Sequence, residues 1–331
     1  MRSLRRYGLT SALAVGIGVA LLGAPAAKAA TPALESGAYR VIDLGTLHGS
    51  DSSEAFAVNE HGHAAGQSDG HATLWRNGRV IDLGVLPGGL WSVATDLNDR
   101  DEVTGYNSSS GGTHAFLWRD GRMRDLGALP GGTDSYGEGV DNAGDVVGSS
   151  TAPSGPYTRH AVRWHAGRVI DLDPAGEASF ATDITDDGWI VGHRFFPEDP
   201  MNARATAWRH GVPATLIPDA PSYPVAANER HQVALNDGGG HASIWHRGAT
   251  TPLPSEPALF AQVHDINNAG QAAGFVDVDA IVWRNGRAVP LPGLPAGGSA
   301  AAYGVNDHGQ LAGYSATTSD GTHHHAVLWT R

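Results

Sequence analysis

The 331-residue chain carries 45 glycines and 19 prolines, no cysteine, and a formal charge of −12. Without cysteine there is no disulfide, thiolate nucleophile or thiolate metal site. So acidic a chain, with no basic runs, repels phosphate backbones and anionic lipid, which sets aside nucleic-acid and membrane partners.

The chain opens with MRSLRRYGLTSALAVGIGVALLGAPAAKAA. Arg2, Arg5 and Arg6 form a basic start, an apolar stretch runs from Leu9 to Leu22, and Ala27-Lys28-Ala29 supplies small residues for cleavage. This pattern predicts a secretory signal over residues 1–29, cut after Ala29. A membrane anchor would need roughly 20 strongly apolar residues, and this run is shorter and diluted by Gly, Thr and Ser. Removal takes away four positive charges, among them the only lysine, Lys28, and no negative one, so the mature chain has a charge of −16 and no Schiff-base lysine. The expected location is extracellular, with no membrane insertion after cleavage. Residues 30–38 read as a linker and residues 39–331 as one domain, long enough to bury a core without disulfides.

The domain begins with YRVIDLGTL, Tyr39 to Leu47, an alternating strand that returns later inside a longer phrase. Residues 71 to 89, HATLWRNGRVIDLGVLPGG, and 114 to 132, HAFLWRDGRMRDLGALPGG, repeat that phrase 43 positions apart. Its tryptophan recurs as Trp75, Trp118, Trp164, Trp208, Trp245, Trp283 and Trp329, with gaps of 43, 46, 44, 37, 38 and 46. Each follows an alanine three positions earlier, and most precede a tight turn and an alternating segment such as RNGRVIDLG, the signal of a hairpin. Upstream of each tryptophan lies a second hairpin, often centred on Asn-x-x-Gly as in Asn59 to Gly62 and Asn267 to Gly270, which suits a type I turn. Each repeat is then four short antiparallel strands. No window carries a 3.6-residue apolar period, so essentially no helix is expected beyond the signal.

Four-stranded units recurring about every 42 residues predict an all-β fold, a β-propeller of four-stranded antiparallel blades. The chain ends set the closure. Tyr39 to Leu47 is a fourth strand lacking its first three, and the terminal HAVLWTR is a third strand lacking its fourth. Pairing them completes a seventh blade, whereas an open solenoid would want polar caps.

These residues resemble the probable extracellular repeats named after His-Ala-Phe, a triplet present at His114 to Phe116. The resemblance rests on the His-Ala-x-x-Trp, Asp-Leu-Gly and Asn-x-x-Gly elements together, and covers nearly the whole mature chain. Departures lie in the middle, where Arg204 and Asp279 replace the histidine and TLIPDAP and PLPSEP replace Asp-Leu-Gly-x-Leu. The resemblance implies secretion and repetition; it implies no activity.

Five repeat tryptophans carry a histidine four positions earlier: His71, His114, His160, His241 and His325. Equivalent positions on different blades stand too far apart to share one metal, so these histidines are expected to bond within their own blades, with Asp43, Asp82, Asp125 and Asp171 as partners. The tract His323-His324-His325 looks metal-binding, but adjacent strand residues face opposite ways. No metal or other cofactor is expected. Asp96, Asp183 and Asp265 recur before the Asn-x-x-Gly turn or its equivalent, on the innermost strand, and are candidates to line the axial channel. They could equally satisfy backbone amides there.

One end of the propeller carries the tight turns. The other carries the links between blades and three segments read as long loops: 150–159, 194–204 and 315–324. Loops on a rigid scaffold are where function usually sits. The candidate ligand-binding residues are therefore Trp91, Asp134, Tyr136, Tyr157, Arg159, Phe195, Phe196 and Glu198, which combine aromatic faces with charges. With no catalytic motif in the sequence, the first reading is a monomeric binding or scaffold module for an extracellular glycan, peptide or protein. The alternative is a polysaccharide-directed hydrolase or lyase using carboxylates at the same face or in the channel.

Overall fold

A computed structural model describes residues 39–331, except 153–154, 175–177, 256–259 and 296 and the side chains of 155–157. The expected signal and linker lie outside the described residues. The described chain forms seven sheets, each of four strands. Blade 1 consists of Ser53–Val58, Ala64–Ser68, His71–Arg76 and Arg79–Gly84. Blades 2 to 6 begin with Gly89–Leu97, Ser135–Val140, Ser179–Ile184, Tyr223–Ala227 and Ala261–Ile266. The central repeats, despite their altered histidine and Asp-Leu-Gly, build complete blades.

Blade 7 takes three strands from the end of the chain, Ala300–Val305, Leu311–Ala316 and His324–Thr330, and its fourth from the beginning, Arg40–Asp43. Val41 stands opposite Trp329 and Asp43 opposite Val327, all antiparallel. The fold is thus the expected seven-bladed propeller with the expected closure. Among the described residues the helical content is one 3₁₀ turn, Leu47–Gly49, and no helix is long and apolar enough to cross a membrane.

Contacts between blades explain most of the repeated letters. Six repeat tryptophans are at most 9% exposed. Several reach back one blade: the indole N–H of Trp75 donates to Gly45 O, that of Trp164 to Gly127 O and that of Trp329 to Pro292 O. The repeat alanine reaches forward. In five repeats its N–H donates to a serine at the start of the next blade: Ala72 to Ser92, Ala115 to Ser135, Ala161 to Ser179, Ala205 to Ser222 and Ala326 to Ser53.

Every innermost strand carries a bulge, at Phe56, Thr95, Glu138, Thr182, Val225, His264 and Tyr303. A bulge crowds the strand beside it. A Cβ at Gly66 would lie 1.9 Å from Glu54 O, so glycine is required there, and five further blades repeat it. Blade 5 has Leu235 instead.

Two of the three segments read as loops are extended hairpins. Strands Ile190–Phe196 and Asp199–Arg209 leave only Pro197 and Glu198 to turn, and Val146–Ala152 and Gly155–His165 extend in the same way. Proline and glycine in these stretches gave the loop reading; cross-strand pairing at an exposed tip tolerates both. The third, between Ala316 and His324, is a genuine loop.

Candidate ligand-binding face

At the tight-turn end the blades are tied in a closed ring. The N–H of Glu60 donates to Asp99, Asp99 to Asn142, Asn142 to Asp186, Asp186 to Glu229, Glu229 to Asn268, Asn268 to Asp307 and Asp307 to Glu60, at 2.7–2.9 Å. Alongside it, buried asparagine amides span blades: Asn59 donates to Asn98 O, Asn98 to Asp141 O, Asn228 to Asn267 O, Asn267 to Asn306 O and Asn306 to Asn59 O. These side chains are committed to holding the ring together.

The opposite end offers a cleft of about 350 Å³ where blade 7 meets blade 1. Its polar lining comprises Ser50, Ser52, Ser68, Asp51, Asp69, Glu54, Gln67 and His324. His324 Nε2 lies 2.7 Å from Glu54 Oε1, and the Gln67 amide donates to Glu54 Oε2 at 3.2 Å. Behind this pair the Tyr314 ring lies 5.0 Å from that of His324, and Tyr303 packs on Tyr314, Phe56 and His264. Burial, with the Glu54 carboxylate next, pushes the Tyr314 phenol up, so it stays a neutral hydroxyl.

Of the sequence candidates, Trp91, Tyr136 and Arg159 come together. The 40% exposed Trp91 meets Tyr106 edge-on at 5.7 Å, Tyr106 meets Tyr136 at 5.2 Å, and the Arg159 guanidinium lies 4.2 Å from the centre of the Tyr136 ring. This strip begins beside the cleft, because the N–H of Ser92, next to Trp91, donates to the O of Gly70 in the cleft wall. The Tyr157 side chain lies outside the described residues. Asp134 is engaged within the fold: it accepts the Thr113 N–H at 2.9 Å and the Thr133 hydroxyl at 2.7 Å. Phe195, Phe196 and Glu198 form a separate group on blade 4. There Phe196 sits between Arg194 and Arg204, Glu198 pairs with Arg204 at 3.3 Å, and Phe195 meets His193 edge-on at 5.8 Å.

The three recurring aspartates project from alternate innermost strands, and each clasps the next blade. Asp96 accepts from Val140 N–H, Asp183 from Ala227 and Asp265 from Val305, at 2.7–2.8 Å, and each also accepts the N–H of its own successor. Burial pushes Asp96 up to about 7, Asp265 to about 6 and Asp183 well above the carboxylate range, with repulsion from neighbouring carboxylates adding to it. The bulge residue Glu138 is pushed up to about 8 by burial, with Arg159 opposing. Burial alone lowers His193 and His264 to about 4.

The repeat histidines behave as their spacing suggests. His71 pairs with Asp82, His114 with Asp125, His160 with Asp171 and His325 with Asp43, at 2.7–3.0 Å. Except for His160 these pairs are well exposed, so they fasten the outer strand rather than the core. His241 pairs with Asp237 in its own turn. The three consecutive histidines face three different carboxylates, Asp51, Glu54 and Asp43. Among the described residues no group of three or more His, Asp or Glu side chains is placed to hold a metal.

Sequence reasoning passed over Glu54, Gln67, Ser50 and Ser68, which carry no motif. Their importance arises from ring closure, which sets the start of the domain beside His324. No protein-family model and no curated protein matches the chain. Solved structures with the same fold include a puromycin hydrolase (14% identity, TM-score 0.56, covering 84% of this chain and 52% of that one). They also include a puromycin-hydrolyzing peptidase of Mycobacterium tuberculosis (14%, 0.54, 83% and 52%) and the extracellular domain of a putative hybrid two-component system of B. thetaiotaomicron (9%, 0.55, 89% and 40%). The chain spans about half or less of these structures. At such identities the likeness shows the fold alone.

Proposed function

We propose that this chain is a secreted, monomeric propeller of the His-Ala-Phe repeat kind, and that it binds a neutral, hydroxyl-rich extracellular ligand, of which a glycan is the best fit. The observation that carries this reading is the continuity of a polar cleft with an aromatic strip. Serine hydroxyls, the Gln67 amide and carboxylates suit the vicinal hydroxyls of a sugar, and Trp91 offers a face to its apolar side. About 350 Å³ suits one or two sugar units. The acidic lining of Asp51, Glu54 and Asp69 disfavours a polyanionic glycan. The apolar face of Phe196 and the charge of Glu198 are a secondary contact for a longer ligand.

The reading is tested by screening residues 30–331 against an array of neutral oligosaccharides and measuring any hit by calorimetry. Trp91→Ala is expected to weaken binding roughly tenfold, the loss of about 1.4 kcal/mol, and Gln67→Ala similarly. Binding that survives both but disappears on changing Asn77 or Asp120 in the tight turns would place the site at the wrong end.

A further inference from the structure

The Glu54 and His324 pair does not participate in any contact between strands that the fold repeats. The corresponding places in other blades hold unrelated residues: Tyr136 and Phe180 stand where blade 1 has Glu54, and Tyr106, His193 and Phe275 where it has Gln67. No other blade has a carboxylate at the position of Glu54, so at this place on the inner strands a carboxylate meets an imidazole only where the two ends of the domain do. Glu54 is itself fixed, accepting the Gln67 amide on one oxygen while the other faces His324. The Glu54 side chain is 13% exposed and that of His324 26%, so the carboxylate is shielded while the imidazole reaches the cleft. The second ring nitrogen of His324, Nδ1, has no partner among the described residues.

We propose that His324, oriented by Glu54, is a general base that activates water against an ester carried by the hydroxyl-rich ligand, making the cleft an O-deacylation site. This rests on the binding reading above. An imidazole held by a carboxylate is the arrangement that takes a proton at one nitrogen while the other is anchored. Glu54 is occupied by that role, so it does not supply one of the two free carboxylates that glycosidic cleavage requires. An acyl carbon needs less. Water adds to the ester carbonyl as its proton passes to His324 Nδ1. The tetrahedral intermediate then collapses, the C–O bond to the sugar oxygen breaks, and the same proton is returned to that oxygen. Products are the free hydroxyl and a carboxylic acid, which ionises to solvent; no oxidant, reductant or co-reactant other than water is consumed. His324 is the catalytic residue and Glu54 a positioning residue.

The experiment uses residues 30–331 with O-acetylated xylo-oligosaccharides and their deacetylated counterparts as probes. Acetate release is followed enzymatically and binding by calorimetry. The expected result is release by the unaltered protein, a fall in kcat of at least 100-fold in His324→Gln, and a fall of 10-fold or more in Glu54→Gln. KM should stay within about threefold in both, with unchanged melting temperatures. A purely structural pair would instead change melting temperature or KM and leave kcat alone, which would overturn the assignment. Binding of the deacetylated oligosaccharide without release from the acetylated one would overturn the catalytic proposal and leave the binding reading standing. Failure of both probes to bind would count against both. Should His324→Gln unfold the protein, His324→Asn at reduced temperature supplies the same comparison, and acetate release equal to that of the unaltered protein would refute the role of the imidazole.

Discussion

The carboxylate of Asp96, on the first strand of blade 2, accepts the N–H of Val140 on the first strand of blade 3 at 2.8 Å. Asp183 and Asp265 do the same for the blades that follow theirs. Between them stand small residues, Gly139, Ala226 and Gly304, at the equivalent position. A Cβ at Gly139 would come within 3.2 Å of the Asp183 carboxylate oxygen, a tight contact, so the alternation of aspartate with a small residue leaves each carboxylate room.

These burials set a pH dependence. A carboxyl whose folded value is raised binds its proton more tightly in the native state, so its contribution is complete below the unfolded value near 4 and lost as pH rises through the folded value. For Asp96 and Glu138 that loss extends to about pH 7 and pH 8. His193 and His264, lowered to about 4, act in the opposite sense, but only below their unfolded value near 6.5. Between pH 6.5 and 8.5 only the acids act. Stability should fall across that window by at least about 2 kcal/mol, and Asp96→Asn and Asp183→Asn combined with Glu138→Gln should abolish most of the fall. Denaturant melts at four pH values are sufficient; a flat profile in the unaltered protein would contradict the burial of these groups.

The interblade asparagine series is interrupted at Asp141 and Thr185. Asp141 accepts the N–H groups of Ala143 and Asp145 on one oxygen, leaving its other without the donor that asparagine supplies elsewhere. Asp141→Asn should therefore add a bond to blade 4 and remove a carboxyl strained by burial, raising stability by about 0.5–1.5 kcal/mol. Asn306→Ala, at a site 2% exposed, should cost about 1–3 kcal/mol. Thermal melts of the two variants should move in opposite directions.

The histidine and aspartate pairs should differ by exposure. The His114 and Asp125 side chains are 37% and 46% exposed, so His114→Ala should cost no more than about 1 kcal/mol. The His160 side chain is 5% exposed, and its loss should cost about 1–3 kcal/mol. Equal costs would mean that the pairs act as one buried network. A chelator should alter neither melting temperature.

Ring closure predicts an asymmetry between truncations. A chain starting at residue 37 should melt within 1–2 °C of one starting at residue 30. A chain starting at Leu47 loses Arg40–Asp43 and exposes the edge of His324–Thr330, so its melting temperature should drop by several times as much. Equal melting temperatures would show that the pairing contributes nothing.

What the sequence disclosed was whatever repeats locally. The tryptophan spacing, the Asn-Gly turns and the two incomplete ends were enough for blade number and closure, because each is written within a few residues. Partners of the histidines were also legible, since a fixed offset of 11 separates His71 from Asp82 and His114 from Asp125. Contacts between blades were not. Ala72 and Ser92 are unremarkable letters until the blades stack, and the bulges at Phe56 and Tyr303 leave no mark but the glycine on the neighbouring strand. The cleft was hidden for a different reason: Glu54 and His324 lie 270 positions apart, and only the closed ring makes them neighbours.

The closing strand also governs how the protein is made. Arg40–Asp43 is the first strand of the domain to emerge during synthesis, and its partner His324–Thr330 is the last. Six blades can assemble as they appear, each from a contiguous stretch, but the first strand must wait unpaired until His324–Thr330 has been made. Completion of the propeller is a single late event with the largest sequence separation in the molecule, and the step most exposed to wrong pairing. Were the chain exported unfolded, that step could take place only on the far side of the membrane.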